Sequence, residues 1–179
     1  MLALILAALL PLPLDPGTYW VYRETWTEHL GPLDSHEESE TRVEVRGGGR
    51  PFLLQTGGLD PAPAPAEWGE DWLRLGPFTG EDPLPLPLEV GRAATADAGA
   101  RPGWRVEAQE EVSVPAGTFT ALRCALRTPD NESVLWLAPG VGVVRTIEGQ
   151  PGRRPDLERV LLRWGPQRPA AAATSSPQP

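Results

Sequence analysis

Residues able to do chemistry are scarce in this chain. Among 179 residues there are two His, one Cys and no Lys, which leaves little for nucleophilic, Schiff-base or Cys/His zinc chemistry. General acid or base work falls to carboxylates. The sharpest of these is Glu110. In WRVEAQEEVSV it lies on the face shared by Trp104, Val106, Ala108, Val112 and Val114, where an apolar residue is expected. Either it points inward, where it needs an Arg or hydrogen-bond partner and could serve as a general acid, or a bulge at Glu110-Glu111 turns it outward. Glycoside hydrolysis needs two carboxylates, and Glu70 with Asp71 in WGEDW supply others, in an aromatic setting able to hold a sugar. Nothing in the sequence sets their distance from Glu110.

The remaining candidates read as structural. His29 and His36 flank the acidic run HLGPLDSHEESE, whose Asp34, Glu37, Glu38 and Glu40 could face a cation. The run has neither a calcium-loop pattern nor H-E-x-x-H spacing, so a solvated hairpin tip is expected and no metal site. Cys124 lies on the apolar face of ALRCALRT with no His nearby, which predicts a buried, inert thiol. GGGR at Gly47 to Arg50 lacks the Lys and Ser/Thr of a phosphate loop and reads as a turn. No G-x-S-x-G elbow is present, and no cofactor signature.

The elements that must position these residues have a period of two. Besides WRVEAQEEVSV, the segment TYWVYRETWTE puts Trp20, Tyr22 and Trp26 on one face; ALRCALRT puts Leu122, Cys124 and Leu126 together; LERVLLRW does the same for Val160, Leu162 and Trp164. TRVEVR, PFLLQT, DWLRL, SVLWLA and GVVRTIE are further strands. Gly and Pro turns separate them, with Pro115-Gly117 and Pro139-Gly142 joining consecutive hairpins from Trp104 through Glu148. The expectation is an all-β chain: an antiparallel meander forming a curled sheet, half-barrel or sandwich with little helix. Two stretches, LDPAPAPAEW and EDPLPLPLEVG, carry Pro at alternate positions, which predicts edge-covering or exposed segments rather than mid-sheet strands. Trp20, Tyr22, Trp26, Trp68, Trp72 and Trp136 either fill the core or line a ligand cavity, with Trp136 expected in the core beside Val134 and Ala138.

Charge and chain ends bound the partners. A net charge of −8 with 16 Arg and 24 acidic residues is repelled by phosphate backbones, so nucleic acid is not an expected partner. The apolar run Leu2 to Leu10 is far shorter than the roughly 20 residues that span a bilayer and matches the apolar region of a secretory leader. We therefore divide the chain into a leader (1–14), a single β domain (15–165) and a disordered tail (166–179). This predicts export to the periplasm or cell envelope, with no membrane span, and no lipid anchor because no Cys follows the apolar run.

VPAGTFTALR (Val114 to Arg123) and LWLAPGVGVVR (Leu135 to Arg145) are the most specific motifs. With LPLEVGR and GTYWVYRE they resemble an uncharacterised family of exported bacterial β-rich proteins that carries V-P-A-G-T-F and W-x-A-P-G-V-G-x-V. The resemblance implies a β-rich envelope protein, in the manner of curled sheets that carry lipids or lipoproteins, and transfers no site residues. Two functions follow as expectations: a non-catalytic envelope protein binding an apolar or glycan ligand or a protein partner, or a carboxylate-based hydrolase of cell-envelope glycans.

Overall fold

The computed structural model describes residues 12–30, 33–47, 51–57, 63–94 and 103–166. The expected leader up to residue 11, the expected tail from 167, most of the GGGR turn and the start of the first Pro-rich stretch lie outside them. The described elements are β1 (Thr18–Leu30), β2 (Leu33–Arg46), β3 (Phe52–Thr56), β4 (Pro63–Trp68), β5 (Trp72–Leu75), a single-turn helix α1 (Gly76–Thr79), β6 (Leu84–Pro85), β7 (Arg105–Val114), β8 (Gly117–Arg127), β9 (Glu132–Ala138), β10 (Gly142–Gly149) and β11 (Leu157–Pro166).

All eleven strands form one antiparallel sheet in the order β6-β5-β4-β3-β2-β1-β11-β10-β9-β8-β7. The chain starts in mid-sheet, meanders out to β6, crosses to the far edge at β7, and meanders back until β11 pairs with β1. Right-handed twist curls such a sheet, and β6 comes into contact with β7, so the sheet nearly closes into a barrel. The connection between them stitches the seam with its own backbone. Leu86 N–H donates to the Asp71 carbonyl at 2.7 Å on the β5 side; on the β7 side Gly91 N–H donates to Val106 O at 2.8 Å and Val106 N–H to Arg92 O at 2.9 Å. The free edge of β7 is thereby covered, while the Leu86 bond lengthens the β5–β6 ladder.

The expected meander from Trp104 through Glu148 is present, but the half-buried alternation does not hold throughout. In β9 five consecutive residues, Val134 to Ala138, are buried. A strand covered on both faces reads as a continuous apolar run, and SVLWLA is one. The tip of the β7–β8 hairpin reaches β11, where Ala116 N–H donates to the Leu161 carbonyl at 3.0 Å.

Three bulges shift the faces. The register skips Glu107 in β7, Val144 in β10 and Leu162 in β11. The bulge expected at Glu110-Glu111 therefore sits at Glu107. In β11, Leu162 breaks the parity that grouped Val160, Leu162 and Trp164: Leu161 is fully buried beside Tyr22, and Arg159 faces inward beside Glu24, while Trp164 is 37% exposed.

The first Pro-rich stretch also departs from expectation, because PAPAEW forms β4 between β3 and β5. An antiparallel strand sends alternate N–H groups to opposite neighbours. Pro63 and Pro65 pair only with β3, across from Leu54 and Phe52, while β5 pairs with the Pro-free part, Ala66 to Trp68. The missing donors fall where β5 has already turned into α1. The second stretch behaves as expected, with Leu84–Pro85 an edge strand.

Cys124 is fully buried, and burial pushes its thiol up to about 12. We expect no reaction with a disulfide reagent at mildly alkaline pH until the protein is unfolded, when one thiol per chain should titrate. Rapid labelling of the native protein would refute this placement.

Candidate functional site

The interior of the barrel is built on the inward face of β1, where Trp20, Tyr22 and Glu24 follow one another at period two. Trp20 and Tyr22 reach over β11 to the β9–β10 turn and to β10. The Trp20 indole Nε1–H donates to Val141 O at 2.6 Å and the Tyr22 hydroxyl to Val143 O at 2.7 Å. Burial pushes the Tyr22 phenol well above its usual range, with the Arg159 charge pulling the other way. Both bonds hold the rim of an apolar mouth lined by Leu12, Leu14, Trp20, Leu53, Leu75, Phe78, Gly142 and Val143. About 10 Å³ remains free there, no more than one water occupies. Helix α1 supplies Phe78, which packs edge-on against Tyr22 with ring centroids 5.4 Å apart.

Behind α1 lies a buried ion pair. Strand register places Ser39, Glu24, Arg159 and Thr146 side by side across β2, β1, β11 and β10. Arg159 Nε–H donates to Glu24 Oε1 at 2.7 Å, and Nη1–H donates to the Pro77 carbonyl of α1 at 3.1 Å, with Glu148 Oε1 3.7 Å away. Glu24 is buried, and so are the hydroxyls of Thr41 and Thr146, which have no partner among the described residues. The charges here are spent on one another and on holding α1 in place. Neither residue figures among the sequence candidates. The signal was available in Glu24, which interrupts the Trp20, Tyr22, Trp26 face as Glu110 interrupts that of β7; Arg159 was hidden by the Leu162 bulge.

The carboxylates singled out from sequence lie on different elements, β7 and the β4–β5 turn. Glu110 is exposed on β7 and accepts the Trp136 Nε1–H at 2.5 Å. Trp136 itself is buried, with the Arg145 guanidinium 4.9 Å from its ring and Arg145 paired to Glu158 at 2.8 Å. Glu70 and Asp71 are exposed in the β4–β5 turn and share no hydrogen-bond partner with Glu110. Replacing Trp136 by Phe removes the donor and part of a packed ring, and should lower unfolding free energy by roughly 1–3 kcal/mol in a urea melt; an unchanged melt would mean that the bond is idle.

The aromatic candidates divide in the same way. Trp20, Tyr22 and Trp136 are buried, Trp68 is partly buried against the core, and Trp26 is 48% exposed. Trp72 points away from the inward Leu73 and Leu75, beneath the Arg74 guanidinium at 5.6 Å. Both histidines lie on the projecting β1–β2 hairpin. His29 stands 3.1 Å from Asp34 and 3.2 Å from Asp156, and His36 is 3.1 Å from the Thr27 hydroxyl. Among the described residues no group of three or more His, Cys, Asp or Glu could hold a metal ion. Glu37, Glu38 and Glu40 are exposed. A second hollow of about 320 Å³ is lined by Ala93, Ala94, Gly103, Arg105, Glu107, Ala125 and Arg127. Glu107 contacts both Arg127 and Arg123, and the Arg127 hydrogen bond holds the Glu107 carboxyl below its usual range, with the lining Arg105 adding a further positive charge nearby. No helix among the described residues is long and apolar enough to cross a membrane.

No family model and no curated protein sequence matches the chain. Two solved structures are similar to it in fold. A putative lipoprotein from Parabacteroides distasonis is 14% identical, with 87% of this chain and 98% of that one covered at a TM-score of 0.51. A putative exported protein with YmcC-like fold from Bacteroides fragilis is 12% identical, with 84% of this chain and 96% of that one covered at a TM-score of 0.53. At these identities the likeness is one of fold: the chain has the curled antiparallel architecture of these two bacterial proteins.

Proposed function

We propose that this chain is a non-catalytic exported protein of the bacterial cell envelope that takes an apolar ligand at the mouth of its barrel. The observation that carries the reading is the mouth itself, where side chains from β1, β3, β5, α1 and β10 converge with no carboxylate among them. A predominantly apolar lining is the usual form of a site for apolar molecules, and a ligand here must displace the side chains that now leave about 10 Å³ free. Export is supported by the apolar run Leu2 to Leu10 and by the fold likeness to a putative exported protein and a putative lipoprotein. The exposed setting of Glu110, Glu70 and Asp71 and the mutual pairing of Glu24 and Arg159 favour binding over hydrolysis.

The test is native mass spectrometry of the protein recovered from its own host. An envelope fraction carrying the chain plus a mass that organic solvent removes is the expected result. A mass excess in hexose steps would move the ligand to a glycan, and the bare chain in the cytosolic fraction would overturn the proposal.

A further inference from the structure

We propose that the hollow beside β7 and β8 binds a small organic carboxylate, held by Arg105 and Arg127 against a floor of Ala93, Ala94 and Ala125. At about 320 Å³ it has the volume of a small-molecule site, for which roughly 300–1,000 Å³ is usual. Strand register builds it. Ala93 and Ala125 stand across from Arg105 on either side, so its long side chain lies between two methyl groups that take up little of the space around it. Arg123 and Arg127 each lie two residues from Ala125 along β8, which puts them on the same face. Three guanidinium groups therefore surround one alanine, on the face turned away from Val106 and Cys124 in the core. The charges there do not balance. Glu107 takes Arg123 at 3.0 Å and also Arg127, while Arg127 donates to Glu132 at 2.7 Å. Two carboxylates thus face three arginines, and Arg105 makes no ion pair among the described residues. This local positive excess stands in a chain whose net charge is −8, so it is no part of a generally basic surface. The Arg127 hydrogen bond, and then the charges of Arg127, Arg123 and Arg105, hold the Glu107 carboxyl below its usual range. Glu107 is therefore a fixed negative charge in the wall, which repels the second charge of a phosphate dianion and favours a monoanion. A guanidinium fork matches the two oxygens of a carboxylate, and the alanine floor meets the organic part. The hollow shares no residue with the apolar mouth and stands or falls independently of it.

The test is an amide NMR titration of the full-length chain with benzoate at fixed ionic strength and mildly alkaline pH, with benzamide and inorganic phosphate as parallel probes. Saturable benzoate shifts centred on the Ala93, Ala94 and Ala125 amides are expected, with none from benzamide, which has the same shape without the charge. Phosphate, mainly a dianion under these conditions, should bind more weakly than benzoate. Arg105 is exposed, so Arg105→Gln keeps the fold and should weaken benzoate at least about tenfold, the loss of a charge-assisted contact. Arg23→Gln removes an exposed arginine of β1 outside the hollow; it controls for net charge and should leave the affinity unchanged. No saturable shift in the wild type, equal affinity in Arg105→Gln, or an equal loss in Arg23→Gln would overturn the site. Equal binding of benzamide, or tighter binding of phosphate, would overturn the carboxylate assignment. If benzoate bound only to Asp97→Asn, the anion held at Arg105 would be the chain's own Asp97, and an external ligand would be overturned.

Discussion

Replacing Glu24 by Ala is expected to cost about 3–5 kcal/mol of unfolding free energy, because it strands the inward-facing Arg159 with only the Pro77 carbonyl and the more distant Glu148. The pair is a different matter from its members. Taking both charges out of water is itself unfavourable, so the apolar double variant Glu24→Leu, Arg159→Met should recover most of the loss. Urea melts of the four proteins, with slopes checked for two-state behaviour, give the coupling directly. If Glu24→Ala stayed within about 1 kcal/mol of wild type, the pair would be wet and its neighbours Thr41 and Thr146 would be solvated as well. A further readout follows from Arg159 gripping α1 through Pro77: exchange of the Gly80 amide, bonded to the Gly76 carbonyl, and of the Leu75 amide, bonded to the Thr79 hydroxyl, should quicken in Glu24→Ala beyond that of β9.

Gly142→Val carries the other large effect. Gly142 has φ of 107°, and a Cβ there would lie 3.0 Å from Trp20 Nε1 and 3.2 Å from two carbons of the same ring. That indole cannot retreat without giving up its 2.6 Å bond to Val141 O. Backbone strain of about 1–3 kcal/mol and overpacking of similar size fall on one residue, and a loss of about 3 kcal/mol or more is expected. Gly140, in the same turn with φ of 74° and nothing within 4 Å of a Cβ, provides the control. Gly140→Ala bears the strain alone and should lose about 1–2 kcal/mol. Equal losses at the two positions would mean that the Trp20 contact is unimportant. Near-ultraviolet circular dichroism should change in Gly142→Val only.

How much of this was legible in the sequence depends on which interaction sets each feature. Strands with one wet face, such as TYWVYRETWTE, declare themselves through alternation, because water and core sort side chains two by two. SVLWLA does not alternate, since both its faces meet protein, and the packing of the β7–β8 hairpin onto β11 is a long-range event that no local pattern records. Bulges at Glu107, Val144 and Leu162 are set by the fit of neighbouring strands, which is why Arg159 read as an outward residue. The Pro rule failed at PAPAEW for a local reason: β5 ends where the prolines begin. The apolar mouth was least visible, being assembled from Trp20, Leu53, Leu75, Phe78 and Val143, each an ordinary core residue alone.

The pairing of β11 with β1 carries a consequence for the order in which the molecule is made. Leu157–Pro166 lies between β1 and β10 and supplies the hydrogen-bond partner of both. Until that last strand has emerged from a ribosome or a translocation channel, the first strand offers an unpaired ladder, and the ring cannot be completed. The β1–β6 and β7–β10 meanders pair between sequence neighbours and can form earlier, so what waits for β11 is the joining of the two halves into one sheet.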